Sequence, residues 1–305
     1  MSLRTRFLTV SNALFVVFLL VQLLPTATDK DPQALYAIGM GAAVEVVGLV
    51  LCAVAQNKRT RDSAVDVTAV IFFVLAAWTL ATSVFDVLPQ KMFPAPGIVF
   101  AQIVADAAKI GTGVASSLGI IAEGFALGGI CALTVGLVLG YRARSAASAG
   151  KVVSFLSAIP PIVYIPYGIA LLPTFRASSV LVIFLATFWP VLAGTLAGVS
   201  GVDKRAIDSA RVLNVKAPTM LARVMLPGAL PLIFNGFNIG LTLSFILLTS
   251  AEMIGGTTGM GYYVKYYSDF GDYTRILAGI IVIGVVITVI SLLFGKLQSH
   301  LTRWK

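Results

Sequence analysis

The hydrophobic and polar positions of the chain alternate in long blocks. Apolar stretches of about 20 residues, each able to cross roughly 30 Å of hydrocarbon as a helix, recur along the whole sequence. Short segments rich in charge, glycine and proline separate them. Because helices satisfy their own backbone groups in lipid, this pattern predicts an all-α polytopic membrane protein. The eight predicted spans are residues 12–24, 34–55, 65–88, 112–140, 152–172, 178–199, 226–250 and 276–297.

Composition and charge agree with this prediction. Of 305 residues, 58% are hydrophobic and only 11% are charged, which excludes an ordinary soluble domain. With a cytoplasmic N-terminus, 16 of the 22 Lys and Arg residues flank the spans on the inside, from Arg4 and Arg6 to Arg303 and Lys305. We therefore expect both termini in the cytoplasm, and we explain the net charge of +9 by topology and contact with membrane lipid, not by nucleic acid. The six outside are Lys30, Lys91, Lys109, Arg176, Lys265 and Arg275.

Two portions of the chain differ in character. Residues 1–62 predict an additional N-terminal pair of transmembrane helices, and residues 63–305 predict the main membrane domain. The first segment resembles a signal peptide, because Arg4 and Arg6 precede an apolar run that ends near Pro25, but we expect it to be kept as a helix. Residues 93–109 begin with a proline-rich turn and predict a helix that lies on the outer surface.

Glycine and proline distinguish two of the predicted spans. The span 112–140 carries seven glycines about one turn apart, which is typical of a helix whose neighbours approach closely. The span 152–172 contains Pro160, Pro161 and Pro166, which remove backbone donors and predict a broken helix. Breaks at membrane depth are tolerated beside protein or a water-filled cavity, so this helix lines a pathway or is a structural bend.

The polar segment 201–225 predicts two short helices with a tight turn between them. Asp203 can cap the first helix, and Asn214 lies where a residue in the left-handed conformation would end it. Pro218 can begin the second helix, and Pro227 marks the start of the next span. The alternative interpretation is an ordinary solvated basic loop.

The residues of this loop resemble the signature of ABC importer permeases, E-A-A-x3-G-x9-I-x-L-P. Asp208, Ser209 and Ala210 stand for E-A-A, and all spacings agree. The departures are Asp208 for Glu, Ser209 for Ala, Asn214 for Gly and Val224 for Ile. Further segments resemble the nitrate, sulfonate and taurine branch of these permeases: FPAP at 93–96, AIPP at 158–161, FWP at 188–190, AEMIG at 251–255 and GMGY at 259–262.

This resemblance implies a type I ABC importer fold with six core spans. It also implies that the chain lies in the bacterial inner membrane and works with partner proteins. Two copies of the chain, a homodimer, would bind two ATP-binding cassette ATPases inside and a solute-binding protein outside. ATP and Mg would bind the ATPases, and this chain would bind no cofactor or metal. The transported solute would be small and polar or anionic: a sulfonate, nitrate, bicarbonate or a vitamin precursor. The residues implied in coupling to the ATPase are Asp208, Ser209, Ala210, Arg211, Asn214, Lys216 and Pro218.

Candidates for the transport path follow from the broken helix and from the end of the seventh span. Glu252 precedes a glycine-rich stretch, and the resemblance implies an outer gate there; a carboxylate that caps a broken helix or pairs with Arg275 is the alternative. The hydroxyl groups can bind a solute or bond back to their own helices. For Glu45 and Glu123 we favour hydrogen bonds between helices. The candidate path and gate residues are Pro160, Pro161, Tyr164, Pro166, Ser244, Thr249, Glu252 and Met253.

Other classes of protein fit the sequence less well. A membrane enzyme would need a nucleophile with a base or a set of metal ligands, but the one histidine is His300. An ATP-binding chain would need a phosphate-binding loop, and the segment around Lys151 lacks the required Gly and Ser/Thr. A secondary transporter driven by an ion gradient is the main alternative, but it leaves the patterned loop 201–225 without a purpose.

Overall fold

The computed structural model describes residues 10–24, 31–55 and 57–302 of the chain. All regular structure within these ranges is helical, which confirms the predicted all-α class. The helices are α1 Val10–Gln22, α2 Ala34–Val54, α3 Lys58–Thr79, α4 Pro96–Ala105, α5 Ala107–Gly140, α6 Ala143–Ser157, α7 Tyr164–Leu171, α8 Phe175–Ser200, α9 Lys204–Val212, α10 Ala217–Met220, α11 Leu226–Gly255, α12 Met260–Asp269 and α13 Tyr273–Leu301.

Six helical segments in the described part of the chain are long and apolar enough to cross a membrane. They are Ala34–Val54, Lys58–Val84, Ala107–Gly140, Phe175–Ser200, Ala217–Gly255 and Tyr273–Leu301. A seventh span results if the bent pair Ala143–Ser157 and Pro161–Leu171 is counted as one. The remaining predicted segment corresponds to α1, which has 13 residues. The eight predicted segments are therefore six spans, one bent pair and one shorter apolar helix.

Some of the sequence predictions fall outside the described residues. These are the retention of the first segment beyond Pro25 and the basic residues Arg4, Arg6, Lys30, Arg303 and Lys305. The division of the chain after residue 62 stays a prediction. The structure itself divides into two compact units, Met1–Ile110 with Tyr266–Val282, and Gly111–Lys265 with Ile283–Lys305.

The first unit joins the N-terminal helices to α3 and α4. Helix α1 packs on α3, and α2 packs on α3 and α4. Gln22 donates to Thr79 Oγ1 at 2.9 Å across the α1–α3 contact. The carboxylate of Asp31, which is 0% exposed, accepts from the Gly97 N–H at 2.8 Å in the first turn of α4. Asp31 thus caps a helix 66 positions away in sequence, and its burial raises the pKa of its carboxyl group.

The second unit is built around α8, which packs between α5 and α11. Positions along α5 and α8 face each other at a constant offset of 59, from Gly124 against Ile183 to Gly140 against Val199. The two helices therefore run parallel. Helix α11 runs antiparallel to α8, because Gly236 lies against Pro190 whereas Gly228 lies against Val202. The glycines admit this close approach, as the glycine pattern of the fourth predicted span, 112–140, indicates.

The prolines produce the predicted break, but the helix before it is longer than expected. Helices α6 and α7 are bent by 64° where Pro160 and Pro161 interrupt the backbone hydrogen bonds. Helix α6 begins at Ala143, nine positions before the predicted start at residue 152. A prediction based on apolar runs did not include the first part of α6, because this part contains the charged residues Arg144 and Lys151. Both side chains lie on the exposed face of α6.

The loop at residues 201–225 leads into α11 without an interruption. Helix α10, a π-helical segment Leu221–Met225 and α11 together form one helical stretch of 39 residues, Ala217–Gly255. Pro227 is the second residue of α11, which directly follows the π-helical segment.

Candidate functional site

The first short helix of the loop is formed as its sequence predicts. Asp203 precedes α9, and its side chain accepts from the Arg205 N–H at 2.9 Å. This bond satisfies one of the backbone donors that a helix start leaves without a partner. Helix α9 holds four of the predicted coupling residues, Asp208 to Arg211.

The turn after α9 is fixed by one residue. Asn214 has φ +49°, in the left-handed region that the sequence predicted for this position. The Val215 N–H then donates to the Ala210 carbonyl at 3.1 Å and closes the turn. Lys216 occupies the position before α10, and Pro218 is the second residue of that helix, whereas the sequence predicted it as the first.

The inner face of the loop packs on its own unit, and the outer face is exposed. Ala210 is buried in a cluster with Met220, Met225 and Ile233, and Ile207 packs against it. On the opposite face, Asp208 and Arg211 form an ion pair of 3.2 Å with side chains 67% and 69% exposed. The loop is therefore a rigid projection that presents a charged surface.

We expect replacements of Asn214 to follow its backbone conformation. Asn214→Ala should lower the thermal midpoint of the purified chain, because alanine lacks the short polar side chain that lets Asn adopt the left-handed region. Asn214→Gly should raise it, because it removes the Cβ, which costs about 1–2 kcal/mol in this region. The control is Asn235, an exposed residue in the interior of α11, where alanine should be more stable than glycine by about 1 kcal/mol. The same order of alanine and glycine at both positions would contradict the assignment of the turn.

The second site lies at the far end of α11, where Glu252 is buried. Its side chain is 1% exposed. One carboxylate oxygen accepts from the Ser117 hydroxyl at 2.6 Å, and the other accepts from the Gly261 N–H at 2.7 Å. Ser117 in turn accepts from the Met260 N–H at 2.9 Å. Glu252 and Ser117 thus attach the start of α12 to the middle of the second unit.

The glycine-rich segment 255–259 is the connection that these bonds hold in place. Gly259 has φ +123°, and a Cβ there would overlap the Glu252 carboxyl group. Ser116 and Thr258 bond at 3.2 Å between α5 and this segment. The capping alternative for Glu252 therefore fits the contacts. The alternative pairing with Arg275 is wrong: Arg275 pairs with Asp106 at 2.8 Å and Asp272 at 2.6 Å.

The remaining path candidates lie on α7, on the turn before it and on α11. Tyr164 packs against a buried cluster that includes Leu247 and Ala251, so the broken helix and the end of α11 do meet. Ser244 is buried and donates to the Gly240 carbonyl, and Thr249 donates to that of Phe245. Both hydroxyls thus make the back-bonds that the sequence left open. Pro160, Pro166 and Met253 are exposed, and Pro161 is half-buried. The assignment of these residues to a path stays a prediction.

Sequence reasoning missed Ser117, the main partner of Glu252. The two residues are 135 positions apart, and a serine on a helix of small residues is unremarkable by itself. It also left Glu123 without a named partner; the structure pairs it with Arg176 on α8, which is the interhelical contact that the sequence favoured. Glu45 is buried on α2.

The structure thus combines apolar spans, a broken helix and a capped polar loop. The chain belongs to the family of binding-protein-dependent transport system inner membrane components, whose model matches residues 124–305. It is thus an ABC importer permease, and the resemblance of its loop to that class is confirmed.

Comparison with individual relatives supports the same branch of the family. The taurine transport system permease protein TauC of Escherichia coli is 30% identical over 234 residues, which cover 74% of this chain and 84% of TauC. The putative aliphatic sulfonates transport permease protein SsuC of Bacillus subtilis is 30% identical over 184 residues, or 60% and 67% of the two chains. The nitrate import permease protein NrtB of Leptolyngbya laminosa is 26% identical over 187 residues, or 61% and 67%.

Proposed function

We propose that this chain forms the membrane path for a small oxyanion or similar polar solute, which a solute-binding protein delivers from outside the inner membrane. Two copies enclose the path, and both termini lie in the cytoplasm. A separate dimer of ATPases, with its ATP and Mg, docks on the loop 201–225. The names of the relatives, which include taurine, sulfonate and nitrate permeases, support this class of solute.

The observation that carries the proposal is the construction of the loop. Asp203 caps the start of helix α9, Asn214 forms the turn that ends it, and Ala210 is buried in the cluster beneath it. We therefore expect the helix to keep its conformation when a partner exerts force on it. A rigid element can transmit a displacement from a partner, whereas a flexible loop would absorb it. The exposed pair Asp208 and Arg211 offers the partner a charged grip.

The test removes the exposed charges of Asp208 and Arg211 without unfolding the chain. In liposomes that contain the chain with its ATPase and binding protein, Asp208→Ala with Arg211→Ala should reduce solute-stimulated ATP hydrolysis to the unstimulated rate, a loss of at least about tenfold. Exposed ion pairs contribute about 0–1 kcal/mol to stability, so the thermal midpoint should hardly change. Taurine, an alkanesulfonate, nitrate and bicarbonate are tried as solutes.

The matched control is a second charged pair outside the loop. Arg61→Ala with Asp62→Ala removes the same two kinds of charge from the start of α3, where the pair is 3.6 Å apart. This variant should keep at least half of the stimulation. Normal stimulation of ATP hydrolysis in the Asp208 and Arg211 variant would disprove the proposed coupling. A purified complex that contains the chain but no ATPase would also disprove it.

A further inference from the structure

An ion pair between two membrane-spanning helices is exposed on the surface of the second unit. The guanidinium of Arg176 binds both carboxylate oxygens of Glu123, with Nε 3.2 Å from Oε2 and Nη2 in contact with Oε1. The two side chains are 57% and 48% exposed. The pair is thus bidentate, yet half of each side chain remains open to its surroundings.

The position of the pair along the helices places Glu123 inside the span of α5 and Arg176 at the start of the span of α8. Glu123 is the seventeenth of the 34 residues of α5, so it lies about 24 Å from either end at 1.5 Å per residue. Arg176 is in the first turn of α8, and the offset of 59 aligns it with Ser117 of α5. A hydrocarbon layer of about 30 Å cannot be crossed by α5 without including its midpoint.

Lipid is an unfavourable neighbour for such a pair. Charged side chains within a membrane span are costly in contact with lipid, and such residues face protein or water instead. The surface next to the pair is polar as well. On α5, Thr112, Ser116, Gly119 and Glu123 recur every three to four residues and therefore lie on one face. Ser116 on this face bonds to Thr258 of the glycine-rich segment.

We propose that Arg176 is an oxyanion-binding residue that faces the water-filled path, near the segment 255–259. Glu123 holds the guanidinium while the path is empty, and the oxygens of a permeating sulfonate or nitrate replace the Glu123 carboxylate. A planar guanidinium fork fits two oxygens of such an anion. Competition from Glu123 keeps the binding weak enough for release. This inference rests on the proposed transport of oxyanions.

The structure offers a reporter position beside the pair. A Cβ on Gly119 would meet only Arg176 Nη2, at 3.9 Å, so Gly119→Cys fits without displacing anything. The experiment uses the chain in its complex with ATPase in liposomes, after Cys52→Ala and Cys131→Ala. Two methanethiosulfonate reagents of similar size are compared, one with a sulfonatoethyl and one with a trimethylammonioethyl group.

We expect both reagents to modify the Gly119→Cys chain. The ratio of the sulfonate rate to the cation rate should be at least about tenfold higher at Gly119→Cys than for a free thiol in solution. Adding Arg176→Gln should abolish that preference, because it removes the positive charge beside the reporter and leaves the negative charge of Glu123. Adding Glu123→Gln should increase the preference. Val289→Cys, an exposed mid-span position of α13, is the lipid-facing control and should react with neither reagent.

Two results would overturn the proposal. If the Gly119→Cys chain reacts with neither reagent, the pair faces lipid or the second copy. If the ratio of the two rates is the same with and without Glu123→Gln, the charges of the pair do not affect the electrostatic potential in the path. This comparison does not need the Arg176→Gln variant, so it remains decisive if that variant fails to fold. The labelling needs no ATP hydrolysis, so its outcome is independent of the coupling test on Asp208 and Arg211.

Discussion

Gly259→Ala should abolish transport and lower the thermal midpoint of the purified chain more than a replacement at any exposed glycine. Gly259 has φ +123°, a conformation that residues with a Cβ rarely adopt, and the added Cβ would overlap the carboxyl group of Glu252. Movement of that group would break its bonds to Ser117 and Gly261. We therefore expect backbone strain and loss of buried hydrogen bonds together, which is several kcal/mol.

Gly271 is the matched control, because it separates the effect of backbone strain from the effect of steric overlap with a neighbouring side chain. It has φ +67°, and a Cβ there would meet nothing within 4 Å. Gly271→Ala should thus cost only the left-handed conformation, about 1–2 kcal/mol, and leave transport nearly intact. Differential scanning fluorimetry of both variants in one detergent gives the comparison. Equal shifts in the two variants would mean that the contact between Gly259 and Glu252 contributes nothing.

Glu252→Ala should destabilise the chain by a similar amount and release the start of α12. Two donors, the Ser117 hydroxyl and the Gly261 N–H, would lose their acceptor in a buried site, at about 1–3 kcal/mol each. The missing side chain would also leave a cavity. The thermal midpoint and the protease sensitivity of the segment 255–259 are the measurements.

Glu252→Gln is the variant that distinguishes hydrogen bonding from charge. The amide oxygen can accept from Gly261, and the amide nitrogen can donate to the Ser117 oxygen, so this change should cost less than half as much as alanine. Ser117→Ala should be intermediate, since it leaves the Met260 N–H without its acceptor. If glutamine proves as harmful as alanine, a structural role through hydrogen bonds is insufficient, and the negative charge itself is required.

The sequence was most informative where local rules decide the structure. Asp203 and Asn214 define the ends of α9 through capping and backbone conformation, which depend on a few neighbouring residues. The long apolar runs likewise predict the spans, because the bilayer sets their length. The prolines at 160 and 161 predict the break between α6 and α7 for the same local reason.

Contacts between distant elements could not be predicted in this way. Ser117 meets Glu252, and Asp31 meets Gly97, across 135 and 66 positions. In a membrane span, apolar residues cover every face, so hydrophobic periodicity does not show which side of α5 meets a neighbour. Arg176 illustrates this limit: its charge indicated an outside loop, but only the fold shows that it reaches Glu123.

The 39-residue stretch Ala217–Gly255 has a consequence for how the two sites communicate. At 1.5 Å per residue it is a rod of about 58 Å, with the loop of α9 at one end and Glu252 at the other. No linker separates the two ends, so a displacement of one end is transmitted along the helix to the other. We therefore expect the segment 255–259 to move together with the loop of α9.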